Sequence, residues 1–227
     1  MAQPKIRKQI RIPKETPEEK RARIAKIIRK LRELFPEATT SLSFENPFQL
    51  ICATVLSAQC TDARVNKVTP ELFRNYPDAR SMSKAPLAKL EKLVQSTGFY
   101  KNKALSLSHL SKAIMEKHGG NVPGTMEELI GLRGVGRKTA NVVLGNAFGV
   151  PGFPVDTHVG RLTRRLGLTK HLDPVKVEHE ITALTPSKDW TDFSHLLIYH
   201  GRATCTARSP QCEECELLRL CPQVGVQ

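Results

Sequence analysis

Cys205, Cys212, Cys215 and Cys221 fall within seventeen residues in the pattern C-x6-C-x2-C-x5-C. Four thiols that close, in a chain whose basic start MAQPKIRKQIRIPK runs into no apolar leader, point to a reducing compartment and to a metal centre rather than disulfides. Zinc sites usually pair two short C-x2-C knuckles, and here only Cys212 and Cys215 form one. Spacing therefore leaves zinc and a cubane iron–sulfur cluster both open. Cys52 and Cys60 read as small residues on a buried helix.

The second candidate is Leu132 to Ala140, LRGVGRKTA, which lies between two helical patterns and so reads as a tight helix-to-helix hairpin. Gly134 and Gly136 permit backbone angles and close approach that side chains forbid. Their N–H groups, with the amino end of the next helix, suit one phosphate. A nucleotide loop of the Walker type would need lysine directly after the second glycine of G-x4-G, where Arg137 stands, and a strand before it. A dinucleotide fingerprint would need a third glycine at Thr139. Both fail, and a purely structural turn is the remaining alternative.

Lys138 changes that balance. The positive end of a helix and the neighbouring Arg137 both disfavour its ammonium form, and a neutral amine is what Schiff-base chemistry requires. A lysine that only contacts phosphate is the plainer reading. Asp156, eighteen residues on in Val155-Asp156-Thr157-His158, reads first as an ordinary N-cap. A cap can also move protons, and a helix plus a short loop could return Asp156 to the groove that holds Lys138.

The elements that must position these residues are helical. Thr16-Pro17-Glu18-Glu19 combines an N-cap, proline at the first helical position and a capping-box glutamate, and Ile24, Ile27, Ile28, Leu31 and Leu34 follow at helical spacing, ending before Pro36. Asn46-Pro47 starts a second helix with Phe48, Ile51, Cys52, Val55 and Leu56 on one apolar face. Further helices are expected at Pro70 to Asn75, Leu87 to Gln95, Ala104 to Lys117, Met126 to Gly131, Thr139 to Phe148, Thr157 to Leu166, Pro174 to Leu184 and Trp190 to His200. Tyr76-Pro77-Asp78, Gly98, Gly119-Gly120 and Pro123-Gly124 read as turns, and residues 149–154 as a crossover between two lobes. No run alternates with period two, so the class is all-α.

The chain has 227 residues, with 35 Lys and Arg against 22 Asp and Glu, a formal charge of +13. That length suits one large domain or two small ones, and the composition excludes wholesale disorder and a collagen-like chain. No apolar stretch approaches a membrane span. The surplus charge points to a polyanion partner. It is uneven: residues 1–32 carry twelve Lys and Arg against Glu15, Glu18 and Glu19, or +9, and all the rest only +4. The basic start is either a solvated arm or one that touches DNA.

From about Leu31 to Cys221 the chain closely resembles the endonuclease III branch of the helix-hairpin-helix DNA glycosylases. The resemblance rests on six motifs in order: Leu56-Ser57-Ala58-Gln59 with Thr61-Asp62, Gly98 to Ala104, LRGVGRKTA, Val155 to His158, His200-Gly201-Arg202 and the four-cysteine tail. It implies a two-lobed all-α fold with a DNA cleft between the lobes. A six-helix barrel would span residues 42–152, a cluster lobe residues 16–41 and 153–227, and a basic arm residues 1–15. It implies a 4Fe-4S cluster on Cys205, Cys212, Cys215 and Cys221, with a structural or DNA-positioning role.

By the same resemblance Lys138 is the nucleophile and Asp156 the essential carboxylate. DNA contacts fall to Gln59, Phe99, Gly134, Val135, Gly136, Arg137, His158 and Arg208. Gln59 would help fill the gap left by an extruded nucleotide, and Phe99 takes the wedge position where leucine is more usual. Arg208 is the one cation between Cys205 and Cys212, where relatives often carry more. The implied activity is excision of oxidised pyrimidines from duplex DNA through a lysine Schiff base, followed by β-elimination 3′ to the abasic site. The implied protein is a monomer in the cytoplasm, working on nucleoid DNA and not at a membrane. A DNA-binding module without chemistry, a monofunctional adenine glycosylase and an electron carrier are the competing readings; the second lacks the lysine and carries an extra C-terminal domain.

Overall fold

A computed structural model describes residues 14–226. Of the basic arm expected over residues 1–15, all but Lys14 and Glu15 lies outside the described residues. Among these residues the chain is helical throughout, with no strand and no helix long and apolar enough to cross a membrane. It divides into two compact units, one of Thr39–Pro154 and one joining the described residues up to Ala38 to those from Val155 onward.

The Thr39–Pro154 unit is built around α2 (Pro47–Leu56). Asn46 caps it by accepting the Gln49 N–H at 3.0 Å, and Pro47 occupies the first turn, where no N–H is needed. Every residue from Phe48 to Leu56 is buried, so this helix is apolar on all sides rather than on one face. Around it lie α3 (Asp62–Asn75), α4 (Ala79–Ser83), α5 (Leu87–Val94), α6 (Tyr100–His118), α7 (Met126–Ile130) and α8 (Arg137–Val143). The α4 and α5 helices pack on α6, and α8 packs on α2.

Three boundaries depart from the sequence reading. The α3 helix starts at Asp62, not Pro70, and carries Pro70 in its interior at the cost of one backbone hydrogen bond. The Tyr76-Pro77-Asp78 turn runs straight into α4, capped when Asp78 Oδ1 accepts the Ser81 N–H at 2.7 Å. The α6 helix begins at Tyr100, which places Lys103 inside it.

The other unit contains α1 (Pro17–Leu34), α9 (Thr157–Arg165), α10 (Pro174–Leu184) and α11 (Trp190–Ala203). The expected capping box opens α1: Thr16 Oγ1 accepts the Glu19 N–H at 3.2 Å and Glu19 Oε2 accepts the Thr16 N–H at 2.8 Å. The buried stripe of Ile24, Ile27, Ile28 and Leu31 belongs to a core shared with α10 and α11. Each such side chain contributes about 1.5–3 kcal/mol by leaving water. Several cations counted as a basic stretch are structural. Lys20 Nζ donates to the Leu168 carbonyl, Arg23 Nη1 to those of Leu166 and Leu220, and Arg32 pairs with Asp189 and Asp192.

Candidate functional site

The hairpin is held from within. Leu132 and Val135 are buried, and the Val135 N–H donates to the Leu132 carbonyl at 3.1 Å. Val135, expected among the DNA contacts, is the buried anchor of the turn. Gly134 has φ +83°, and a Cβ there would stand 3.3 Å from Ser106, so the turn requires glycine. Gly136 caps α8 in extended backbone, and a Cβ there would meet nothing within 4 Å. Arg137 and Lys138 open α8, and the Lys138 side chain is exposed. Arg133, which motif spacing did not single out, meets His109 Nδ1 at 2.7 Å through Nη1 and ties the hairpin to α6.

Asp156 belongs to the other compact unit. It is the N-cap of α9, accepting the Val159 N–H on Oδ1 at 2.8 Å. One carboxylate oxygen thus fixes the side chain, and a carboxylate has a second to offer to chemistry. His158 packs inward: a Cβ on Gly201 would sit 2.9 Å from His158 Nδ1, so only glycine lets α11 approach this closely. Burial pushes the His158 pKa below its ordinary value, against the pull of Asp156. His158 Nδ1 faces Arg161 Nη2 at 3.2 Å. His158, expected to contact DNA, is on this side a packing partner of Arg161 and Gly201.

Gln59 and Phe99 are exposed loop residues of the Thr39–Pro154 unit, and both have left-handed backbone, with φ 52° and 47°. Cys60 lies beyond the end of α2 and is half-buried, whereas Cys52 is fully buried within it. Arg208 is exposed on the segment between Cys205 and Cys212.

Cys205, Cys212, Cys215 and Cys221 line one cavity together with Arg165, His200 and Leu217. Among the described residues no three His, Cys, Asp or Glu side chains gather closely enough for a single metal ion. Three of the four sulfurs face nitrogen: Arg165 Nη1 to Cys205 at 3.3 Å, the Gln223 N–H to Cys221 at 3.4 Å and His200 Nε2 near Cys215 at 3.6 Å. Thiolates are acceptors only, so the Arg165 and Gln223 donors suit sulfurs that have lost their protons to a metal cluster. Burial, helped by the neighbouring cysteines, pushes the Cys212 and Cys215 thiols up, and that of Cys221 to about 11. Cationic iron would supply the missing stabilisation of the thiolate form. The residues fit a polynuclear cluster.

Comparison with known proteins agrees with this geometry. Residues 52–187 match the family model described as HhH-GPD superfamily base excision DNA repair protein, and residues 205–221 match the iron–sulfur binding domain of endonuclease III. The cofactor is a 4Fe-4S cluster. The chain is 52% identical to the endonuclease III of Synechocystis sp. over 89% of its length and 93% of that protein. It is 48% identical to that of Bacillus subtilis over 85% and 88% of the two chains. A solved non-covalent endonuclease III–DNA complex superposes with TM-score 0.85 at 43% identity, covering 90% of this chain and 96% of that one. A thermostable thymine-DNA glycosylase, 22% identical with TM-score 0.82 over 92% and 99% of the two chains, shares the fold.

Proposed function

The chain belongs to the endonuclease III family of the helix-hairpin-helix base-excision repair superfamily and is a DNA glycosylase and AP lyase, and from that premise we propose that it excises oxidised pyrimidines from duplex DNA through a Schiff base on Lys138. The observation that carries this reading is the exposed Lys138 amine on the first turn of α8, directly behind the Gly134–Gly136 turn. A relative of 43% identity is described as a trapped endonuclease III–DNA covalent intermediate, which supports a covalent route.

The chemistry begins with extrusion, because a stacked nucleotide hides its sugar carbon. Phe99 enters the stack and Gln59 occupies the gap. The Gly134 and Gly136 backbone, with Arg137, faces a phosphate, and Arg208 adds a further cation. The unprotonated Nζ of Lys138 attacks C1′, and the bond from C1′ to the damaged base breaks with its electron pair going to the base, which takes up a proton. The nitrogen then gives up its extra proton, and its lone pair opens the C1′–O4′ bond, with O4′ taking up a proton, to leave an iminium on Lys138 that acidifies the C2′ proton. Its removal breaks the C3′–O bond and releases the 3′ phosphate, and water then hydrolyses the Schiff base to restore the amine. Asp156, fixed as the α9 cap, takes the lysine proton and stabilises the cationic sugar.

Cys205, Cys212, Cys215 and Cys221 would hold the cluster, which supplies a rigid cross-link for the C-terminal segment when bound. Its partner is duplex DNA carrying oxidised pyrimidines or abasic sites, bound by a monomer acting on nucleoid DNA in the cytoplasm. The domain division at residues 42–152 belongs to this reading.

Borohydride trapping on thymine-glycol and abasic duplexes tests it. Wild-type protein should form a covalent adduct with both, and Lys138→Gln with neither. Full crosslinking by Lys138→Gln would remove the nucleophile from Lys138. No adduct from the wild type would leave a DNA-binding module without lyase chemistry.

A further inference from the structure

Phe99 keeps a left-handed backbone, φ 47° and ψ 29°, although it is not glycine and its ring is 66% exposed. A residue with a Cβ holds that conformation only where its surroundings enforce it. The exposed ring does not supply the restraint, which lies behind it. Thr97 is 2% exposed, and its hydroxyl donates to the Val94 carbonyl at 2.7 Å. Lys103 stands one turn into α6 and is 5% exposed. Its backbone N–H donates to the Phe99 carbonyl at 3.1 Å, and its Nζ turns back to the Thr97 carbonyl at 2.7 Å. One residue therefore grips the carbonyls on both sides of the Gly98–Phe99 turn.

A buried ammonium is unfavourable unless it is hydrogen-bonded. Burial pushes Lys103 below its ordinary value, opposed by the nearby Cys60 thiol, which follows Gln59 in sequence. An apolar side chain of similar length would fill the same space without that cost, but it would leave the Thr97 carbonyl unheld. The side chain is thus better suited to fastening the turn than to packing alone.

We propose that Lys103 is a positioning residue whose ammonium fastens the Thr97 carbonyl, while its backbone closes the first turn of α6 on Phe99, and so holds Phe99 outward, ready to enter the base stack. This rests on the reading of Phe99 as the wedge and adds the residue that pre-organises it. A ring already presented in its working conformation has less freedom to lose on insertion. Lys103 itself touches no DNA in this scheme and acts through Phe99.

A double-mutant cycle on the full-length, cluster-loaded protein tests the proposal, with Lys103→Met, Phe99→Ala and the two combined. Single-turnover excision from a thymine-glycol duplex is measured alongside the fluorescence of 2-aminopurine placed next to the lesion, which reports unstacking. Each single variant should slow excision about tenfold and weaken the unstacking signal, and the double variant should be no slower than Phe99→Ala alone, as expected for coupled residues. A double variant that loses about a hundredfold would show Lys103 acting independently of Phe99 and would overturn the proposal. Unchanged excision by Lys103→Met would do the same. Phe99→Ala with wild-type excision and unstacking would reject the wedge reading and the proposal with it, a signature distinct from additivity. If Lys103→Met does not fold, Lys103→Leu, which also removes the donor to the Thr97 carbonyl, goes through the same cycle. Failure of both to fold would assign Lys103 to global stability and overturn the proposal.

Discussion

Arg165 Nη1 stands 3.3 Å from the sulfur of Cys205, and the same guanidinium donates to the carbonyls of Thr206 at 2.7 Å and Ala207 at 2.8 Å. A side chain of α9, whose cap is Asp156, thus organises the first part of the cluster loop. Arg161 extends the grip, donating from Nη2 to the carbonyls of Gly201 and Cys205 at 3.0 and 2.9 Å.

Arg165→Leu should therefore loosen the loop rather than only remove a charge. Arg165 is 9% exposed, and its replacement removes the contacts to Cys205, Thr206 and Ala207 together. At about 1 kcal/mol for each lost hydrogen bond, the variant should lose about 3 kcal/mol. Urea unfolding reads the stability, and iron analysis reads cluster retention, which should fall. Wild-type iron content in this variant would mean that the loop holds itself.

Glu15 gives a pH dependence of known sign. Both its oxygens accept from Arg23, at 2.6 and 2.7 Å, and this hydrogen bonding holds its carboxyl below the ordinary 4.5. The unfolded chain therefore binds the proton first. The stabilisation is complete above pH 4.5 and is lost as pH falls through the lower folded value. Glu15→Gln should lower stability at neutral pH by about 1–2 kcal/mol and flatten the acid limb of a denaturation series. An identical acid limb in wild type and variant would contradict the assignment.

The two hairpin glycines separate folding from binding. Gly134→Ala places a side chain at φ +83° against Ser106 and should destabilise by about 1–3 kcal/mol. Gly136→Ala meets open space in extended backbone, so its melting temperature should match wild type. If the backbone here faces a phosphate, the added methyl should still weaken duplex affinity several-fold in a titration at fixed salt. Equal affinity would place the phosphate elsewhere.

The parts legible in the sequence were those with local chemistry. Thr16, Asn46 and Asp156 cap their helices because a short polar side chain meets an N–H three residues on, a relationship contained within a few positions. Pro70 misled, because proline usually starts a helix and here sits within α3. The twelve cations of residues 1–32 looked alike, yet Arg23 is bound to carbonyls 143 and 197 residues away. Backbone acceptors carry no residue type, so such partnerships leave no trace in composition or spacing. The same holds for Lys103 on Thr97 and for Arg161 and Arg165 on the cluster loop. The cysteines were legible as ligands but not their metal, because the number of atoms they enclose depends on how the intervening loop folds.

Deleting residues 1–13 removes Lys5, Arg7, Lys8 and Arg11 but spares Glu15. Each of those cations that meets a phosphate should contribute about 0.9 to the slope of log K against log salt. The truncation should weaken duplex binding and flatten that slope while leaving single-turnover cleavage nearly intact. Deletion through residue 15 should in addition lower stability, because it removes the Glu15 carboxylate that pairs with Arg23. A large loss of single-turnover rate on removing residues 1–13 would instead make the arm part of the active structure.

Asp156 allows its two roles to be separated by choice of substitution. Asparagine caps a helix about as well as aspartate, so Asp156→Asn should keep the bond to the Val159 N–H and fold within about 0.5 kcal/mol of wild type. Asp156→Ala should lose about 1 kcal/mol, the usual value of a cap. Both variants lack the carboxylate and should fall together in single-turnover excision, by about 100-fold or more for the loss of a positioned acid–base group. The pattern expected is thus two variants that differ in melting temperature and agree in rate. If Asp156→Asn were as active as wild type, the carboxylate would have no part in proton transfer and Asp156 would be a helix cap alone.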